Sequence, residues 1–126
     1  MLKNEVQDLL IRSVHSDKEA EKILCDGKEN PNLFNVIMEI VETSESGDAR
    51  MEGAFWLSQF AVEIIEQYEN RLLSLMNCEL NSITVHIMMA LSKIKSQKAL
   101  YIIINDRIKP KLPWEASALS NYFGAN

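Results

Sequence analysis

Carboxylates recur at intervals of three residues in two runs, Glu39, Glu42, Glu45 and Asp48, then Glu63, Glu66 and Glu69. On a helix, positions three apart lie on neighbouring turns of one side, so each run predicts a comb of negative charge. Acid–base catalysis, metal ligation and recognition of cations all use carboxylates in number. Acid–base work needs two groups whose environments push their pKa values apart, and a row on one exposed face gives all members the same surroundings. Ligation of the di-iron bundle type needs Glu-x-x-His, but Arg12 and Ile83 stand three residues before His15 and His86. With no Cys-x-x-Cys and no His-x-x-x-His, no metal site is expected. Recognition of a cation is left. Like charges three apart cost about 0.2–0.5 kcal/mol per pair, and only Arg50 and Arg71 lie close enough in sequence to offset them. Such an unrelieved acidic surface suits a basic protein.

Other reactive residues offer less. His86 lies among Val85, Ile87, Met88 and Met89 and reads as a core or interface histidine. No Ser or Cys has a nucleophile setting, and the glycines at 27, 47, 53 and 124 form no phosphate loop. The expectation is therefore a protein that is not an enzyme and holds no cofactor. The net charge of −5 is uneven, with twelve carboxylates against six Lys or Arg in residues 1–60 and six against seven in 61–126. An acidic half repels a phosphate backbone, which argues against nucleic acid as partner. The longest apolar run, Ala99 to Ile104, is six residues, so no membrane span is expected. The start, Met1 to Asp8, lacks the apolar stretch of a secretory signal. Cys25 and Cys78 are too few for a disulfide framework and read as buried or idle thiols of a cytoplasmic protein.

The elements that must position these residues read as helices throughout. Leu2, Val6, Leu9, Leu10 and Val14 recur at helical spacing, and Ala20, Ile23 and Leu24 mark a short second helix after the cap signal Ser16-Asp17. Asp26 to Pro31 is a clear break. Further helices are expected over about 32–43, 49–60, 62–76, 82–95 and 97–108, with a turn at 77–81. After Pro110 and Pro113, a short helix over Trp114–Phe123 would cap the chain. Ala99–Ile104 is β-branched and shows no clear period, so a buried strand competes there with a helix; the helical context on both sides favours the helix. Phe55 and Trp56, adjacent on a helix, must point about 100° apart, so one packs inward and the other faces a neighbour or a partner. Lys93, Lys95, Arg107 and Lys109 fall near helix C-termini, where they complement the macrodipole. The 126 residues are thus expected to form a single all-α domain of about seven helices.

The helices also repeat. Trp56-Leu57-Ser58-Gln59-Phe60-Ala61 is echoed by Ala90-Leu91-Ser92-Lys93-Ile94-Lys95 after 34 residues, and by Ala118-Leu119-Ser120-Asn121-Tyr122-Phe123 after 28 more. Upstream, Ala49-Arg50-x-x-Gly53 runs parallel to Ile83-Thr84-x-x-Ile87. This pattern resembles the first helix of a HEAT-like repeat, although only the first copy keeps the arginine, Arg50. The resemblance implies stacked antiparallel helix pairs whose second helices line a concave side, which would make the two combs an acidic trough. In size, acidity and lack of chemistry the chain also resembles the small helical immunity proteins of bacterial contact-dependent growth inhibition and related toxin systems. That resemblance is general and implies a cognate basic toxin domain as partner, most often a nuclease, met by Glu42, Glu45, Glu63, Glu66 and Glu69, with Gln67 and Asn70 between. The alternative is a HEAT-like adaptor or scaffold that binds proteins more weakly. A third reading, an enzyme resembling the helical-repeat alkylpurine glycosylases, needs a basic groove for DNA and is opposed by the acidic N-terminal half.

Overall fold

Local signals place most helix ends. In a computed structural model that describes residues 1–76 and 82–105, the last three by their backbone, α1 spans Lys3–Val14 and α2 spans Lys18–Asp26. The Asp17 carboxylate accepts hydrogen bonds from the Glu19 and Ala20 N–H groups at 3.0 and 3.1 Å and so caps α2. Asn30 caps α3 (Pro31–Thr43) in the same way, with Pro31 in the first turn, where its missing N–H costs nothing. Ser46 caps α4 (Gly47–Leu57) by accepting from the Ala49 N–H at 3.1 Å. Then follow α5 (Val62–Gln67), α6 (Glu69–Ser74), α7 (Ser82–Lys93) and α8 (Gln97–Asn105). The protein is all-α, and no strand occurs among the described residues. Ala99–Ile104 lies within α8, which decides between helix and strand there. The turn expected at 77–81, the helix expected at Trp114–Phe123 and the third echo lie outside the described residues.

One expected helix is two. Residues 62–76 break at Tyr68, whose φ of −111° and ψ of 13° end α5 and begin α6. Carboxylates at Glu63, Glu66 and Glu69 give an uninterrupted helix no support. The Tyr68 ring meanwhile packs on Phe34 of α3, with centroids 4.6 Å apart. Tertiary contact overrides the local pattern.

The core explains how the pairs stack. α4 lies between α1 and α7 and is covered by α3. Ser13 of α1 reaches Glu52 of α4, while Gln7, nearer the start of α1, reaches Ser44 just before α4. These contacts make α1 and α4 parallel. Phe55 against His86, and Lys93 against the Phe60 carbonyl, make α4 and α7 parallel as well. The close approach of α3 and α4 depends on Gly53: a Cβ there would stand 2.8 Å from Val41 Cγ2. The echo has its structural counterpart, since Trp56 and Ala90, and Leu57 and Leu91, are buried in one continuous core with Phe60, while Ile94 is partly buried. The helix ends are tied across the stack. Arg50 Nε donates to the Val41 carbonyl at 2.9 Å near the end of α3, and Lys93 Nζ donates to the Phe60 carbonyl at 2.6 Å beyond the end of α4. Lys93 therefore complements the C-terminus of another helix, not of its own.

A repeat that the hexapeptide echo misses lies in the turns. Ser16 and Lys95 both adopt positive φ, 64° and 54°. The next N–H groups, of Asp17 and Ser96, return to the Arg12 and Leu91 carbonyls at 3.1 and 3.0 Å. This is the six-to-one bond of a Schellman turn. Asp17 and Ser96 then each cap the following helix through the N–H three residues on, Ala20 and Ala99. The pairs α1–α2 and α7–α8 thus share one connection. The α4–α5 link differs, with the Ala61 N–H bound to the Lys28 carbonyl at 3.2 Å.

Candidate functional site

The acidic residues fall along α3, the α3–α4 connection and α5–α6. Glu39 and Glu42 are on α3, Glu45 is in the connection and Asp48 is in the first turn of α4. Arg71 of α6 joins the two runs. Its guanidinium donates to both Glu42 oxygens, the Nε contact at 3.1 Å, and to Asn35 Oδ1 at 3.2 Å, and its charge lies 5.5 Å from the centre of the Tyr68 ring. The bond to Glu42 raises the Arg71 pKa further, so this guanidinium keeps its charge beside α3. Arg50 forms no ion pair with the combs among the described residues, and its Nε donates to the Val41 carbonyl of α3.

The break at Tyr68 divides the second run. Glu63 and Glu66 stay exposed on α5 and make no ion pair among the described residues. Glu69, after the break, is partly buried and accepts from the Ser96 hydroxyl. Gln67 is exposed and donates to the Glu63 carbonyl at 3.2 Å, and Asn70 Oδ1 lies 3.5 Å from Lys98 Nζ. Of the seven expected contact residues, Glu45, Glu63, Glu66 and Gln67 therefore keep side-chain oxygens free of partners among the described residues, whereas Glu42, Glu69 and Asn70 also link helices. Nothing in the spacing of the carboxylates separates these groups, because the separation depends on partners 27 to 29 positions away.

No protein-family model, curated protein or solved structure matches the chain.

A second constellation is invisible in the sequence. Between α1, α2 and α4 lies a cleft of about 470 Å³, lined in part by Ser13, Cys25, Glu52, Phe55 and Trp56. Cys25, expected as a buried or idle thiol, is exposed on this lining. The Ser13 hydroxyl donates to Glu52 Oε2 at 2.6 Å, and the Trp56 indole N–H donates to the same oxygen at 3.1 Å. Trp56 is buried and Phe55 half-buried, which resolves the adjacent aromatic pair as the helical geometry requires. Their rings meet edge to face with centroids 5.3 Å apart, and Phe55 meets His86 of α7 in the same manner at 5.7 Å. Burial lowers the His86 pKa, against a smaller opposing pull from Glu52, and His86 Nδ1 has no hydrogen-bond partner among the described residues. The i,i+4 pair Glu52 and Trp56 was legible as neighbours on one helix face; Ser13, 39 residues earlier, was not. Among the described residues no group of three or more His, Cys, Asp or Glu is placed to hold a metal ion. Among the same residues no helix is long and apolar enough to cross a membrane.

Proposed function

We propose that this chain is an inhibitor of the immunity type, which binds a basic toxin domain, a nuclease by preference, through the acidic surface of α3 and α5. The observation that supports this reading is the pair Glu63 and Glu66, exposed and without an ion pair among the described residues. Residues 31–76 carry eight carboxylates and two arginines, so the field over this region is strongly negative. A cationic active site built for a phosphate backbone is steered toward such a field, and its encounter rate falls with salt. Binding proceeds without chemistry on this chain. The partner's own basic cleft supplies the complementary charge, and the exposed carboxylates stand in for phosphates.

The test is a titration over a salt series against the C-terminal domain of the protein encoded by the adjacent reading frame. The double variant Glu63→Lys/Glu66→Lys should slow association tenfold or more and flatten its salt dependence. Lys109→Glu, in the basic C-terminal region, should change association little. Equal and small effects of the two variants would reduce the carboxylates to a solvated face.

A further inference from the structure

Glu52 forms no ion pair among the described residues. Its Oε2 is occupied by Ser13 and Trp56, while its Oε1 takes no hydrogen bond and no cation pairs with it among the described residues. Burial lowers the His86 pKa, so the imidazole holds a proton less readily there than in water. Lys18 and Lys22 stand on the cleft lining, but each ammonium lies against a carboxylate of its own helix, Glu21 at 3.6 Å and Asp26 at 3.0 Å. A half-buried carboxylate, fixed by two donors and open on one oxygen, thus sits beside two aromatic rings in a cleft with room for a small group.

We propose that the cleft between α1, α2 and α4 is a binding site for a guanidinium group, with Glu52 as its counter-charge and Phe55 and Trp56 as its aromatic wall. A charge-assisted bond to Glu52 Oε1 supplies the polar anchor. The rings favour a guanidinium over an ammonium because its planar faces are weakly hydrated and stack on aromatic surfaces, whereas an ammonium is compact and strongly hydrated. The site is separate from the acidic surface: Glu52 belongs to α4, while Glu63 and Glu66 belong to α5. The guanidinium can come from a free small molecule or from an arginine side chain of a protein, and the chemistry of recognition is the same.

The chain has two tryptophans, and the indole N–H resonance that remains in Trp114→Phe is that of Trp56, which reports the cleft. The full chain is titrated with N-acetyl-L-arginine methylamide, with free L-arginine and, as a neutral isostere, with N-acetyl-L-citrulline methylamide. The arginine compounds should shift the Trp56 resonance saturably in the millimolar range, and citrulline should bind at least tenfold more weakly. Glu52→Gln, whose amide oxygen can still accept from Ser13 and Trp56, should lose tenfold or more; Phe55→Leu should lose at least threefold with Glu52 in place. Tighter binding of free arginine than of the blocked form would assign the site to a small molecule. Equal or tighter binding of the blocked form would assign it to a protein side chain. A Trp56 resonance that does not shift saturably, a citrulline response equal to arginine, or undiminished binding by both variants would overturn the proposal.

Discussion

α4 and the α5–α6 segment follow each other in the chain, yet opposite forces hold them. α4 buries Ala49, Gly53, Ala54, Trp56 and Leu57 against three neighbouring helices. Its small residues let the backbones approach, and its place is set by shape. α5 and α6, six residues each, bury only Ile64, Ile65 and Leu72. Tyr68, Leu73 and Leu75 are only partly buried against the core, and polar contacts add to them, with Arg71 on Glu42, Ser96 on Glu69 and Lys98 near Asn70. Close packing is nearly indifferent to salt, whereas partly exposed charges are screened by it. The molecule therefore has a rigid centre beside a side that responds to ions, and the exposed carboxylates are on the responsive side.

The largest test of this contrast removes one buried leucine from each region. Leu57 and Leu72 are both fully buried. Leu57→Ala leaves a cavity among α1, α3, α4 and α7, which cannot all close on it, and should cost about 3–5 kcal/mol. Leu72→Ala lies in a short segment beside a helix break that can settle inward, and should cost nearer to about 2 kcal/mol. Urea unfolding measures both, and equal losses would remove the distinction. The glycines make a finer comparison. Gly53→Ala drives a methyl toward Val41 and should cost about 1–3 kcal/mol for overpacking, reduced by up to ~1 kcal/mol of helix propensity. Gly47, in the first turn of α4, has nothing within 4 Å of a built Cβ, so Gly47→Ala should stabilise by up to ~1 kcal/mol. Opposite signs at two positions of one helix would localise the tight contact to the α3–α4 crossing.

The same contrast decides what could be read from the residues alone. Helix ends were legible wherever a capping side chain acts on its own neighbours, as Asp17, Asn30 and Ser46 do. The buried stripe of α4 and α7 was legible because the echo Leu57/Leu91 carries the periodicity of a packed face. The break at Tyr68 was not, since it arises from a ring contact with Phe34, 34 residues away. The roles of the carboxylates were hidden for a similar reason: Glu66 and Glu69 look alike in the chain, and only the position of Ser96 makes one structural. The equivalence of the α1–α2 and α7–α8 turns was masked because Ser16 and Lys95 share a backbone conformation but no side-chain chemistry.

A smaller effect tests the packed side by pH. Burial holds the His86 pKa below its ordinary value of about 6.5. A base with a lowered folded pKa binds its proton more readily when unfolded, so its contribution is intact above about 6.5 and is lost as pH falls toward the folded value. Stability should therefore decline on going from pH 7.5 to pH 5.5, and His86→Phe should flatten the decline in that window. An unchanged slope in the variant would show that the loss comes from elsewhere in the molecule.

The smallest effect concerns the ionic side. Arg71 and Glu42 are partly solvated, so their attraction is reduced by water and by the entropy of holding both side chains. Arg71→Leu should cost only about 0–1 kcal/mol at low salt, and the difference from the unmodified chain should shrink further in 1 M salt, where the Debye length falls to about 3 Å. The same substitution frees Glu42 and makes the α3 face more negative by one charge. On the proposed function it should therefore raise the association rate for a basic partner while lowering stability slightly. Opposite movement of the two readouts is the result expected when the carboxylates of α3 contribute to the attracting field. A slower or unchanged association at low salt would confine the contact surface to α5, with Glu42 serving only to hold α6 against α3.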